Sequence, residues 1–190
     1  MKKTVAVIGS RGAIGNAVVD TLLADESVEA VFKFSRAEIT EHDDKVKHIF
    51  IDIEDEESIK QAAESLPEDT KFDLIFVATG ILHDEKNVFP EKSIKDISFD
   101  KLIKVLTINT IGPTLVGKYF IPYLRKDSKS TFAFLSARVG SISDNKLGGW
   151  YSYRASKTAL NQIIRNFSIE VARSNKNAIF IGLQPGTVKS

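Results

Sequence analysis

The sequence predicts an α/β fold, a doubly wound parallel sheet with helices on both faces. Three observations favour it. Short, apolar, β-branched runs such as residues 5–8 are typical of strands buried on both sides. These runs alternate along the chain with segments whose apolar residues recur at helical spacing. A glycine-rich turn at residues 9–15 joins the first apolar run to the first helical segment.

The predicted elements follow one another without a repeat or a linker. Six apolar runs are predicted to be strands: residues 5–8, 30–34, 48–53, 72–79, 131–135 and 178–183. Four segments are predicted to be helices: residues 14–23, 55–66, 99–125 and 151–172. Pro113 should bend or break the third helix, because proline cannot donate a helical hydrogen bond. Right-handed crossovers between parallel strands then give a Rossmann-like domain.

Composition excludes several classes of protein. A chain of 190 residues is about one domain long, so we expect a single domain over residues 1–190. Its 43% hydrophobic content and net charge of +1 exclude a disordered chain and argue against a nucleic-acid partner. The absence of cysteine excludes disulfides, thiolate metal sites and a cysteine nucleophile. No run approaches the ~18 apolar residues of a membrane span, so we expect a cytoplasmic protein without a membrane partner.

The glycine-rich turn is suited to a phosphate group. Gly9 permits a tight turn, Gly12 permits close approach of a phosphate, and Gly15 permits close packing of the helix on the strand. The turn residues expected to bind a cofactor are Gly9, Ser10, Arg11, Gly12, Ile14 and Gly15. The alternative is a glycine-rich connection without a ligand.

The end of the second strand favours NADP(H) over NAD(H). An acidic residue there would bind the ribose 2′-hydroxyl of NAD. The sequence instead offers Ser35 and Arg36, which suit a 2′-phosphate, and Arg11 could add a second charge. The alternative is that Arg36 is a solvated loop residue.

Tyr153 and Lys157 form a possible proton-transfer pair. They are four residues apart at the start of a predicted helix, so both side chains point to one face. A nearby ammonium favours the phenolate and is expected to lower the pKa of Tyr153. The spacing by itself is common and usually has no functional meaning.

Together with the glycine turn, Asn109 and Pro185-Gly186, this pair resembles the short-chain dehydrogenase/reductase family over essentially the whole chain. Residues 140–161, GSISDNKLGGWYSYRASKTALN, are most similar to sniffer-type carbonyl reductases and to C-factor-like cell–cell signalling proteins. The resemblance implies an NADP(H)-dependent oxidoreductase that reduces a small carbonyl substrate (aldehyde, ketone or quinone) and forms a homodimer or homotetramer. The other class it allows is a nucleotide-binding signalling protein with weak or no turnover.

The resemblance also implies roles for individual residues. Tyr153 would protonate the carbonyl oxygen, Lys157 would hold the nicotinamide ribose, and Asn109 would bind a water that links Lys157 to solvent. Further cofactor contacts are implied for Asp52, Ile53, Ala78, Thr79, Gly80, Pro185, Gly186 and Val188. We predict no metal site, because neither His42 nor His48 has a neighbouring ligand set.

The chain departs from the family pattern at the catalytic serine. The aligned position is Ala137, so Ser136 could rotate in, Ser141 or Ser143 could reach back, or the reductase activity could be weak.

Family members continue beyond the position of Gly186 through a substrate-binding loop, a helix and a last strand. We therefore expect the C-terminal part of the family fold to be absent from these residues.

Overall fold

The computed structural model describes residues 2–37, 44–84 and 88–186. Within these ranges, six parallel strands form one sheet in the order β3-β2-β1-β4-β5-β6. The strands are β1 (Lys3–Ile8), β2 (Val28–Ser35), β3 (Val46–Phe50), β4 (Leu74–Val77), β5 (Ser130–Leu135) and β6 (Ala178–Leu183). The order reverses between β1 and β4, which confirms the doubly wound prediction and places a crevice at their carboxyl ends.

Five α-helices connect the strands in the same described ranges. They are α1 (Ala13–Ala24), α2 (Glu56–Glu64), α3 (Phe99–Leu106), α4 (Gly112–Phe120) and α5 (Tyr151–Val171). Helices α2, α4 and α5 pack on one face of the sheet, and α1 packs on the other. The central strands β1, β4 and β5 therefore have apolar residues on both faces, which explains their apolar runs. None of these helices is both long and apolar enough to cross a membrane.

Two predicted strands have different bounds in the structure. The third strand ends at Phe50 rather than at residue 53, because the amide of Asp52 turns away to donate to Ser58 Oγ at 2.9 Å. The fourth strand is shorter than predicted, spanning only Leu74–Val77.

The predicted long helix at residues 99–125 is divided into four consecutive helical segments. Between α3 and α4 the chain widens into a π-helical stretch, Thr107–Ile111, in which the amide of Gly112 donates to Thr107 O. Pro113 is near the start of α4 and cannot donate to the carbonyl four residues earlier, which belongs to Asn109. A 3₁₀ turn, Ile121–Tyr123, follows α4. Such single π turns occur often at functional sites.

The aromatic core under β2 gives a stability prediction. Phe34 is fully buried and its ring meets that of Phe120 edge-on, with the centroids 5.2 Å apart. Phe34→Ala should lower the free energy of unfolding by about 3–5 kcal/mol, measured by urea denaturation, because it leaves a cavity. The control is Phe50→Ala on edge strand β3, where the side chain is 60% exposed and the expected loss is under about 1 kcal/mol. Equal losses would contradict this description of the core.

Candidate active site

A cavity of about 450 Å³ opens at the carboxyl ends of β1, β2 and β4. Of the residues predicted to bind a cofactor, those that line it are Gly9, Arg11, Gly12, Ser35, Arg36, Ile53, Ala78, Thr79 and Gly80. Residues that line it without having been predicted are Ala37, Ile51, Glu54, Ile81 and Ile108. The cavity thus lies at the switch point of the sheet, where open α/β sheets bind ligands.

The glycine turn is closed tightly on itself. Gly9 has a φ of 81°, a conformation that side-chain-bearing residues rarely adopt. A Cβ on Gly15 would lie 2.2 Å from Gly9 O, so Gly15 packs against the turn itself rather than only against a strand. At Gly12, the first residue before α1, a Cβ would approach only Gly9 O, at 3.5 Å, among the described atoms. The turn therefore brings the amino end of α1 to the cavity with room for a phosphate.

Several predicted cofactor contacts are placed elsewhere. Ser10 is fully buried, and its hydroxyl donates to Phe34 O at 3.3 Å. Ile14 packs in the core under α1, and the carboxylate of Asp52 accepts from the amide of Glu54. Pro185 and Gly186 are exposed beyond the end of β6, and Val188 lies outside the described residues.

The cavity wall contains a polar atom that a ligand could satisfy. Thr79 Oγ1 is buried and has no hydrogen-bond partner within the part of the chain that the structure describes. A buried hydroxyl without a hydrogen-bond partner destabilises the folded state, so this oxygen needs a water or a ligand to bond with. With the glycine turn on the same cavity, this hydroxyl fits a cofactor that carries phosphate groups.

Glu54 adds a carboxylate to the lining of the cavity. Its carboxylate accepts from Lys104 Nζ at 2.6 Å and lies 4.0 Å from an Arg36 nitrogen. The side chain of Arg36 is 69% exposed, so its guanidinium can turn towards a ligand. The spacing of residues in the sequence did not predict the contact between Glu54 and Lys104, because the two are 50 residues apart in the chain.

Tyr153 and Lys157 lie on one face of α5, as predicted, with Lys157 Nζ 5.8 Å from the centre of the Tyr153 ring. Lys157 is only 2% exposed and donates to Leu135 O at 2.8 Å. Burial lowers the pKa of Lys157 to about 8. Burial raises the pKa of Tyr153, whereas the sequence analysis expected a lowered value. Loss of water around the phenol accounts for the difference.

Asn109 lies in the π-helical stretch and is fully buried. Its Oδ1 accepts from the amide of Ile81 at 2.7 Å, and its Nδ2 donates to Ile81 O and to Ser156 Oγ. A Cβ on Gly80 would lie 3.2 Å from Lys157 Nζ and 3.4 Å from Asn109 Oδ1. Asn109 and Lys157 therefore meet at the cavity wall, where the side-chain amide of Asn109 is held by protein groups. Its role in binding a water stays a prediction.

The candidate serines are engaged with protein groups. Ser136 is 5% exposed, and its hydroxyl donates to Asn161 Oδ1 at 2.6 Å. Ser141 Oγ accepts from the amide of Asp144 and lies 3.4 Å from Ser143 Oγ. Ser136 would have to release Asn161 before it could replace the missing serine at position 137.

The sequence and the fold are both similar to those of known proteins. The model of the short chain dehydrogenase family matches residues 3–190. The 1-hydroxy-2-glutathionyl-2-methyl-3-butene dehydrogenase of Rhodococcus sp. (strain AD45) is 28% identical over 187 residues, which are 97% of this chain and 77% of that protein. The C-signal of Myxococcus xanthus is 32% identical over 98 residues, which are 52% of this chain and 58% of that protein.

Two solved structures have the same fold. The NADPH-bound carbonyl reductase from chicken fatty liver matches with a TM-score of 0.83 and 25% identity, over 100% of this chain and 80% of that one. Carbonyl reductase Sniffer of D. melanogaster matches with a TM-score of 0.84 and 20% identity, over 98% of this chain and 81% of that one. At 20% identity the likeness to Sniffer concerns the fold alone.

The burial of Lys157 predicts a pH-dependent stability. Its pKa is about 8 when folded, against 10.5 for an exposed lysine, so between these pH values the unfolded chain binds more protons. The unfolding free energy of the wild type, minus that of Lys157→Met, should therefore rise from pH 8 to pH 10.5 by up to about 3 kcal/mol. Making the same comparison in a Tyr153→Phe background removes the contribution of the phenol, whose titration depends on Lys157. Urea denaturation at several pH values measures the difference; a flat curve would contradict the buried ammonium.

Proposed function

Because the chain belongs to the short-chain dehydrogenase family, we propose that it is an NADP(H)-dependent oxidoreductase that reduces a small aldehyde, ketone or quinone. The observation that carries the proposal is the meeting of Lys157 with Gly80 on the cavity wall. It joins a cavity of about 450 Å³ to a phenol and an ammonium on one helix face. Those are the groups that carbonyl reduction needs, a cofactor site and an adjacent proton donor.

NADP(H) is proposed over NAD(H) because of charge. Arg11 and Arg36 both line the cavity, and a guanidinium binds a phosphate through charge-assisted hydrogen bonds. The bound NADPH in the chicken carbonyl reductase is consistent with this proposal. When bound, the cofactor supplies the hydride. The glycine turn would hold its phosphates, Thr79 Oγ1 would hydrogen-bond to it, and Lys157 would hold its nicotinamide ribose.

Tyr153 supplies the proton in this proposal. As the carbonyl carbon is reduced, the phenol gives its proton to the carbonyl oxygen, and the product is an alcohol. The raised pKa of Tyr153 keeps the phenol protonated at neutral pH, as an acid requires. The neighbouring ammonium of Lys157 favours the phenolate that remains and can return a proton to it.

A nucleotide-binding signalling protein remains the second candidate. Ala137 at the aligned serine position, the bond between Ser136 and Asn161, and the similarity to the Myxococcus xanthus C-signal favour it. In this case the cofactor would stabilise the fold and turnover would be weak. The homodimer or homotetramer implied by the family resemblance stays a prediction in both cases.

Replacing Tyr153 with Phe separates the two candidates. Tyr153→Phe should lower kcat for NADPH-dependent carbonyl reduction by about 10²–10⁴-fold, because the general acid is lost. Nicotinamide fluorescence should show unchanged NADPH binding, because the phenol is not needed to hold the cofactor. Unchanged turnover would disprove the mechanism. NADPH binding by a wild type that reduces none of a panel of aldehydes, ketones and quinones would favour the signalling role.

Arg36 and Glu54 should act in opposite directions on cofactor choice. Arg36→Asp should weaken NADPH binding by about tenfold or more, the value of one charge-assisted hydrogen bond, and should change NADH binding much less. Glu54→Gln removes a carboxylate that competes for Arg36 and should raise the ratio of NADPH to NADH affinity. Fluorescence titrations with both cofactors measure the ratios. Equal effects on both cofactors would show that Arg36 does not contact the 2′-phosphate.

A further inference from the structure

Glu91 is a buried carboxylate that the proposed mechanism does not use. It lies between β4 and α3 and is only 2% exposed. Its Oε2 accepts from the amide of Ser152 at 3.2 Å, and its Oε1 accepts from Ser152 Oγ. Its main-chain carbonyl accepts from the amide of Trp150 at 2.6 Å. Glu91 thus accepts hydrogen bonds from two residues at the start of α5, Trp150 and Ser152.

Helix α5 has an unusual amino end. Trp150, the residue before the helix, makes no side-chain capping bond within the described chain, and the first turn contains no acidic residue. The first amides of a helix have no partner inside it and are stabilised by a nearby negative charge. Glu91 supplies both a partner and a charge from a segment 61 residues away in sequence.

The turn before α5 also depends on Glu91. Gly148, Gly149 and Trp150 have φ values of 67°, 64° and 53°, so three successive residues are left-handed. This conformation is strained for Trp150, because it brings the Cβ too close to the following carbonyl oxygen. The bond from Trp150 to the carbonyl of Glu91 holds the turn, and the Trp150 ring lies edge-on to the Tyr153 ring with the centroids 6.3 Å apart.

We propose that Glu91 is a positioning residue that fixes the first turn of α5 and thereby the direction of the Tyr153 phenol. Tyr153 directly follows Ser152, so a shift of the Ser152 main chain moves the phenol relative to Lys157. Glu91 acts through Ser152 and Trp150. This inference rests on the proposed reductase function, in which the phenol must meet the carbonyl oxygen.

The experiment compares Glu91→Ala and Glu91→Gln with Glu170→Gln, which makes the same change of charge at the exposed far end of α5. Trp150 is the only tryptophan, so intrinsic fluorescence reports on the turn that Glu91 holds. In Glu91→Ala we expect a red-shifted Trp150 emission, at least a tenfold lower kcat, a smaller change in KM and unchanged NADPH affinity. Glu91→Gln should fall between Glu91→Ala and the wild type, since its amide offers one acceptor oxygen instead of two. Glu170→Gln should match the wild type.

Ser152→Ala is the second test, because it removes the hydroxyl donor but keeps the Ser152 amide on the carboxylate. It should lower kcat in the same way as Glu91→Gln, and it stays informative if Glu91→Ala fails to fold. A lower melting temperature with wild-type kcat and wild-type Trp150 emission in all three variants would make Glu91 merely structural and overturn the inference. If the wild type reduces no carbonyl compound, the proposed function fails, and the Trp150 emission of the variants alone decides whether Glu91 fixes the start of α5.

Discussion

The position of the Tyr153–Lys157 pair depends on the buried amide of Asn109. That side chain satisfies both main-chain groups of Ile81 and also binds Ser156, so it joins the cavity wall, the π-helical stretch and α5. A buried amide with all these bonds made can occupy only one arrangement, and each lost bond would leave a polar group unpaired. The distance between the cavity wall and the Tyr153–Lys157 pair is therefore set by directional hydrogen bonds. Apolar contacts alone would allow small shifts of α5 relative to the wall.

The π-helical stretch explains how Asn109 reaches both partners. A regular α-helix through residues 99–125 would need an amide hydrogen at Pro113 to bond the carbonyl of Asn109, and proline has none. The chain instead widens by one residue, as the bond from the Gly112 amide to Thr107 O shows. Gly112 also passes close to Ile53, where a Cβ would lie 2.5 Å from the Ile53 carbonyl oxygen. Pro113 thus interrupts the regular α-helical hydrogen bonding, and Gly112 allows the helix to pass close to Ile53.

Local patterns predicted much of this molecule. The strands, the glycine turn and the shared face of Tyr153 and Lys157 depend on neighbours within a few residues, so spacing was sufficient to find them. The hydrogen bonds from Ser152 to Glu91 and from Ser136 to Asn161 join residues 61 and 25 positions apart, and the residue types alone gave no sign of them. The direction of the Tyr153 pKa was wrong for the same reason. Spacing places an ammonium near the phenol, but burial by distant segments has the larger effect.

The missing serine does not by itself argue against catalysis. Loss of one hydrogen-bond donor to the developing oxyanion costs about 10²–10³ in kcat, and the proposed reaction would keep its hydride donor and its general acid. In this chain Ser136 sits at the end of β5 with its hydroxyl on Asn161, so it also fixes α5 against the sheet. In the proposed reductase, a serine that positions the helix and a tyrosine that alone protonates the carbonyl oxygen would still support turnover, at a lower rate. Tyr153 would then be the residue on which the proposed activity depends most, and the contacts that orient α5 would matter because they orient its phenol.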